Sequence, residues 1–407
     1  MPTCRRGRVH RPPALRKSYP VTDARCAPLR RVRSAEVRPT RWCGTGGHTG
    51  RPYGPACRGL AGRRWASVPV RDDGGEDHLG LGGAERLHPG HQLTQLNRLY
   101  EALEIKAEEF DDVVKMGRTQ LQDAVPIRLG QSFHAYASAI QRDIRRLHKA
   151  SKDLCVVNMG ATAIGTAINV SADYLEHIVP ELREITKFPL LQATDLIDGT
   201  QNLDCFVNVS GIVKTCAVNL SKISNDLRLM SSGPRTGLTE INLPPKQNGS
   251  SIMPGKVNPA IPEVMSQVAF SVIGNDACIT MAAEAGQLEL NAFEPVLFYK
   301  FFEFLETLAG GVRTLVDNCV LGITANKDHC LELVEHSVGM VTALCPFIGY
   351  KRAAELAKES LKSGVPVRKL VVQQGIISAD QVDEILNPLK LTFTEKEREE
   401  LERFGQA

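Results

Sequence analysis

Residues 206–230 read FVNVSGIVKTCAVNLSKISNDLRLM, and this stretch decides the fold class. Phe206, Val209, Val213, Cys216, Leu220, Ile223, Leu227 and Met230 stand alternately three and four positions apart. An α-helix gathers such positions on one face, so the spacing predicts a heptad seam about 36 Å long at roughly 1.5 Å per residue. A seam of that length exceeds what a small monomer needs and calls for partner helices. Phe133, Tyr136, Ile140, Ile144, Leu147 and Leu154 step by three, four, four, three and seven, one face of another helix, and Phe298, Phe301, Leu305, Leu308, Val312 and Leu315 alternate three and four again. Good helix formers over Gln95–Glu104 open another helix, and alternation of the strand type is nowhere sustained. The fold class is all-α: a long central helical bundle that associates with copies of itself.

The 407 residues carry 49 Lys+Arg against 46 Asp+Glu, and 43% are apolar, enough for a large core and two or three domains. A collagen-like chain and a small disulfide-stapled scaffold are excluded. The average hides a break near residue 90. Residues 1–90 hold 17 Arg and one Lys against seven acids, a net +11, while the remainder carries −8. The same ninety residues contain 14 Gly and 10 Pro, both tryptophans (Trp42 and Trp65), and no Ile, Phe, Asn or Gln. No helical or strand periodicity survives that punctuation. Four readings stand: a basic arm for an acidic partner, a transit peptide, a disordered extension, or a GC-rich gene read out of frame. Composition favours the last. The Gly44–Gly50 stretch resembles a phosphate loop but has the wrong glycine spacing.

Of eleven cysteines, four fall in that segment and seven are scattered without a C-x-x-C pair. Buried thiols in a reduced, cytoplasmic protein are expected. The longest uncharged stretch, 154–172, holds two Asn with several Gly and Thr, so no membrane span is expected, nor a nucleic-acid partner. His134 and His148 fall on the polar side of their helix. Ser231–Arg235 reads as a helix stop. Arg118 reads as a residue beside a helix start, making a structural ion pair. The organisation expected is residues 1–91 apart, a central bundle over 92–326, and a small helical domain over 327–407, with an N-cap at Ser378 and an acidic helix from near Thr394.

Between two helical runs stands Asn248-Gly-Ser-Ser-Ile-Met-Pro-Gly-Lys-Val-Asn-Pro259. Paired glycines, prolines and serines make a loop, and Lys256 and Asn258 add a cation and an amide. Such a set suits a carboxylate, although an ordinary polar turn has the same composition.

The eleven residues 249–259 resemble the signature loop of the fumarase/aspartase superfamily. The resemblance runs from about Gln95 to the C-terminus and includes Lys115–Ala124, Asn158–Asn169 and Gly286–Asn291. Glu240–Pro245 and Ala292–Pro295 resemble the aspartase branch, since fumarases typically put a lysine where Glu294 sits. The implied fold is a small N-terminal domain, a central five-helix unit and a small C-terminal domain. Four central units form a twenty-helix homotetramer, and each site draws on three subunits. The implied chemistry is a carbon–nitrogen lyase: cofactor-free and metal-free anti-elimination of ammonia from L-aspartate to give fumarate.

By position, Ser250 matches the base that removes the proton next to the side-chain carboxylate. Loop N–H groups and nearby positive charge would lower its pKa, because a free serine is a poor base. Ser251, Ile252 and Met253 follow it in the loop and complete the expected substrate-binding set there. Lys256, Asn258 and Thr119 match contacts to the second carboxylate, with Gln120 beside them. Glu263 matches the acid that pairs with an active-site histidine. Two departures stand out. Gln120 replaces the usual histidine, so Glu263 loses that partner. The family's Ser-Thr-Asn segment, expected before His91, is not found there. The resemblance therefore leaves three outcomes: an aspartase, a fumarase or other superfamily lyase, or a helical oligomer that does not turn over.

Overall fold

A computed structural model describes residues 89–247, 252–253, 255–394 and 397. The chain divides into two units, 1–76 and 77–407, and the described residues belong to the second. Seven helices come first: α1 (Pro89–Glu109), α2 (Leu129–Ala150), α3 (Ala172–Thr186), α4 (Asp198–Gln201), α5 (Asp204–Met230), α6 (Ala260–Glu284) and α7 (Glu294–Asn318). Five more follow: α8 (Lys327–His336), α9 (Cys345–Ile348), α10 (Tyr350–Ser363), α11 (Val367–Gln373) and α12 (Ala379–Ile385).

The long helices pack in a ring: α1 on α2, α2 on α5, α5 on α6, α6 on α7, and α7 back on α1. This is the five-helix unit implied by the sequence resemblance. α5 is the longest of the five. Val209, Val213, Cys216, Leu220, Ile223, Leu227 and Met230 are all buried, while half-buried Phe206 meets Phe298 and Phe301 edge-on at 5.0 and 5.4 Å. Two buried carboxylates fix the rotation of α5. Asp276 of α6 accepts Ser210 Oγ at 2.7 Å and Lys214 Nζ at 2.5 Å. Asp143 of α2 accepts Asn219 Nδ2 at 2.8 Å and Arg146 Nη1 at 2.6 Å. Burial pushes the Asp143 carboxyl above the usual range, and those two donors oppose the rise.

The sequence reading fails at two places. Leu154 lies beyond the end of α2, half-buried in a 3₁₀ turn over Asp153–Cys155. Arg118 is not beside a helix start. Val114–Thr119 (β1) and Gln122–Arg128 (β2) form an antiparallel hairpin with an irregularity between Met116 and Arg118. The strand hid because Val114, Lys115 and Met116 are buried in succession, and the Lys115 charge is buried against Glu240. Apolar alternation cannot report such a pattern. The structural ion pair expected of Arg118 does exist, to Glu240 at 2.5 Å. Two-residue strands complete the sheets: β3 (Val156–Val157) with β4 (Leu191–Gln192), and β5 (Ile241–Asn242) with β6 (Thr324–Ala325).

A second apolar cluster gathers Val334, Leu344, Leu356, Val371 and Val382 around Val114 and Met116 of the hairpin. Ser378 caps α12 as expected, accepting the Gln381 amide. Thr394 accepts the Glu397 amide at 3.3 Å; the rest of the expected acidic helix lies outside the described residues. His134 and His148 are exposed, and His134 pairs with Glu104 at 3.0 Å. Among the described residues no single helix is long and apolar enough to cross a membrane.

Two outcomes follow from this packing. Leu220→Ala empties the fully buried centre of the seam, and should cost about 2–5 kcal/mol in urea unfolding with the fold kept. Cys216, Cys319 and Cys330 are buried free thiols, and burial pushes Cys319 and Cys330 up to about 12. Alkylation at neutral pH should therefore label half-buried Cys155 and Cys345 well before those three, as peptide mass mapping would read.

Candidate active site

The hairpin tip is a two-residue turn. Thr119 pairs with Gln122, and both residues between them have positive φ, Gln120 at 53° and Leu121 at 62°. A right-twisted hairpin wants that geometry, but Asn-Gly usually supplies it. Held in two larger side chains, it costs of order 1–3 kcal/mol per residue and persists only where the surroundings enforce it. The turn leaves Thr119 and Gln120 exposed.

Just behind the tip, the ion pairs of β1 converge on Glu240, which is fully buried. Its carboxylate receives Arg118 Nη1 at 2.5 Å and stands 3.2 Å from Lys115 Nζ. Glu240 immediately precedes β5, and β5 leads into the signature loop. The hairpin and the root of the loop are thereby joined.

Within that loop Ser250 and Ser251 lie outside the described residues. Ile252 and Met253 are exposed, and Gly255 takes φ 80°. Lys256 is exposed, its amide donating to the Met253 carbonyl at 3.3 Å. Asn258 is half-buried beside Leu243, Pro244 and Lys246, and its carbonyl accepts the Ala260 amide at 2.9 Å. Among the described residues, no hydrogen bond or ion pair within one chain joins Thr119 or Gln120 to Lys256 or Asn258.

Glu263 sits in the first turn of α6, where the helix dipole favours an anion. Its partner is not residue 120. Arg228, in the last turn of α5, donates to it at 3.3 Å, and both side chains are 40% exposed. An ion pair that open contributes at most about 1 kcal/mol, so Glu263 ties two helix ends where sequence alone left it without a partner.

The two other segments that resemble the family also meet. Within 158–169, Thr162, Ala167 and Asn169 have positive φ alongside Gly160 and Gly165. A Cβ on Gly165 would stand 2.3 Å from Ile197 Cα, so only glycine fits. Asn158 Nδ2 donates to Thr200 Oγ1 at 3.2 Å, and the Asn291 amide donates to the Thr200 carbonyl. Buried Asn291 in turn donates to the Ala282 and Ala283 carbonyls at the end of α6. Thr200 escaped the sequence reading because α4 is a single turn with no periodicity of its own. Among the described residues, no three His, Cys, Asp or Glu side chains are grouped to hold a metal ion.

Comparison with known proteins agrees with this architecture. Residues 90–274 match the Lyase family model, and residues 340–393 match the Fumarase C C-terminus. An aspartate ammonia-lyase of Bacillus subtilis (strain 168) is 49% identical over 300 residues, 74% of this chain and 63% of that protein. One from Pseudomonas fluorescens is 52% identical over 302 residues, 74% of this chain and 63% of that protein. The chain thus spans a little under two thirds of the length of these relatives. The solved structure of a fumarate lyase:delta crystallin from Brucella melitensis, bound to cobalt, aligns with TM-score 0.74 and 47% identity, covering 76% of this chain and 68% of that one. A class II fumarase from Schistosoma mansoni aligns with TM-score 0.70 and 33% identity, covering 74% and 66%. With its ring of five long helices, its hairpin and its signature loop, the chain belongs to the fumarase/aspartase superfamily.

Proposed function

We propose that this chain carries the loop and hairpin portions of an aspartate ammonia-lyase site. One observation carries the choice within the superfamily. Relatives named aspartate ammonia-lyase are 49–52% identical to the chain, whereas the class II fumarase is 33% identical. In this reading Ser250 takes the proton next to the side-chain carboxylate of L-aspartate. The electron pair moves into that carboxylate, and expulsion of the amine then gives fumarate and ammonia. Loop N–H groups and Ser251 hold the carboxylate on which charge builds up. Lys256, Asn258 and Thr119 hold the other, with Gln120 beside it, while Ile252 and Met253 ride on the loop as it closes and excludes water.

The three-part division at residues 91 and 326 belongs to the same proposal, as does a homotetramer with sites shared among three subunits. Exposed Val218, Phe270, Met281 and Tyr299 on the central helices support association with further copies. Among the described residues no hydrogen bond or ion pair within one chain joins Thr119 to Lys256, which suits a shared site.

Residues 1–90 hold no Ser-Thr-Asn segment for the reacting carboxylate and amine. Losing two or three charge-assisted hydrogen bonds at roughly 1.5–3 kcal/mol each lowers the rate by about two to six decades. The purified 407-residue chain should accordingly form a helical oligomer with little turnover of L-aspartate, followed by fumarate absorbance. A rate like that of an intact relative would overturn this expectation. To identify the reaction, residues 89–407 are joined behind the N-terminal third of the Bacillus subtilis relative. That chimaera should release ammonia and fumarate from L-aspartate in equal amounts; malate formed from fumarate instead would establish the fumarase reading.

In the chimaera, Ser250→Ala should lower kcat about 10²–10⁴-fold with the oligomer intact. Lys256→Met should mainly raise KM. An active Ser250→Ala variant, or an unchanged KM in Lys256→Met, removes the corresponding assignment.

A further inference from the structure

The tip that presents Thr119 and the root of the signature loop each need a fixed support in the core, and the contacts of Glu240 supply one to both. Its amide donates to the Met230 carbonyl at 2.8 Å, at the end of α5. Its carbonyl accepts the Asn326 amide at 2.9 Å and Cys330 Sγ at 3.5 Å, at the start of α8. The backbone of this one residue is fixed to two helices before its side chain does anything.

The carboxylate then faces β1 and finds two cations. Arg118 Nη1 donates to Oε1 at 2.5 Å and to the Met116 carbonyl at 3.3 Å. Lys115 Nζ donates to that same carbonyl at 2.9 Å and lies 3.2 Å from Oε2. Arg118 Nε also stands 3.8 Å from Asp123 of β2, whose other oxygen accepts Ser337 Oγ at 2.7 Å. Holding the strand in the core does not require such a cluster, because Val114 and Met116 already pack among the apolar side chains of the second cluster. Buried charges contribute little net stability over apolar replacements, but removing one partner strands an uncompensated charge. One of those partners, Arg118, is the neighbour of Thr119.

We propose that Glu240 is a positioning residue for the dicarboxylate site: through Arg118 it fixes the Thr119–Gln120 tip, and through its own backbone the root of loop 249–259, to the core of the subunit that contributes each of them. The nature of the ligand rests on the function proposed above; the anchoring of tip and loop root rests on the geometry alone.

The test compares the full 407-residue chain with E240Q, E240Q/K115M and R118M. Urea midpoint, hydrogen exchange of the 114–128 amides and fumarate affinity by calorimetry are read in each. E240Q should lower the midpoint, speed exchange in the hairpin roughly tenfold or more, and weaken fumarate binding roughly 10–100-fold. E240Q/K115M removes the stranded cation, so its midpoint should recover, with hairpin exchange and affinity still impaired. Recovery of all three together would mean that the cluster only stabilises the fold, and would overturn the proposal. R118M keeps the Lys115–Glu240 pair and cuts only the link to the tip, so it carries the same comparison if E240Q does not fold. Unchanged hairpin exchange in R118M would likewise overturn the proposal. Failure of the unsubstituted chain to bind fumarate counts against the ligand alone, since the exchange comparison still decides the anchoring.

Discussion

The burial of one face of α5 is the constraint on which the rest depends. Its seam is continuous from Val209 to Met230, and covering it requires helices on both sides, which α2 and α6 provide. Apolar burial is non-directional and would permit the helices to slide or rotate. Asp276 and Asp143 restrict that freedom, because the buried carboxylates of α6 and α2 are met by Ser210 and Lys214, and by Asn219, only when α5 turns those residues toward them. Once α5 is fixed, its end at Met230 places Glu240, and Glu240 places both the hairpin and the start of the loop. The position of the candidate site is thus inherited from core packing far below it.

The central ring was legible because its signal is of one kind. Heptad spacing reports burial on one face, and α2, α5 and α7 bury the faces that the spacing indicated. The hairpin was illegible for the opposite reason. Lys115 and Arg118 look like surface residues in sequence, and only the distant Glu240 turns them inward. Glu263 shows the same limit, since its partner Arg228 lies on another helix and no local pattern announces it. The signature loop is a third case. Its residue types suit an anion as a string, yet among the described residues no hydrogen bond or ion pair joins Lys256 or Asn258 to the hairpin tip.

The supports of the site differ in kind from the site itself. Thr119, Gln120 and Lys256 are exposed, and exposed polar groups have many positions open to them. What restricts the first two is the turn itself, whose positive φ values at Gln120 and Leu121 constrain backbone rather than side chain. A reacting group held by a fixed backbone loses little freedom on meeting its ligand, which is the entropic advantage of preorganisation.

The two tethers of the site also differ in how far their lengths can drift between related proteins. The loop leaves β5, where Asn242 is tied to Thr324 and Asn326, and re-enters structure at Ala260. Between fixed posts, doubling such a tether costs only about 0.6 kcal/mol of closure entropy, so insertions there are thermodynamically cheap. The hairpin tolerates none of this. One residue added between Thr119 and Gln122 would shift the register of β1 against β2 and turn Arg118 away from Glu240. Register therefore fixes the length of the tip, whereas a constant length in the loop has to come from what the loop contacts and not from the cost of closing it.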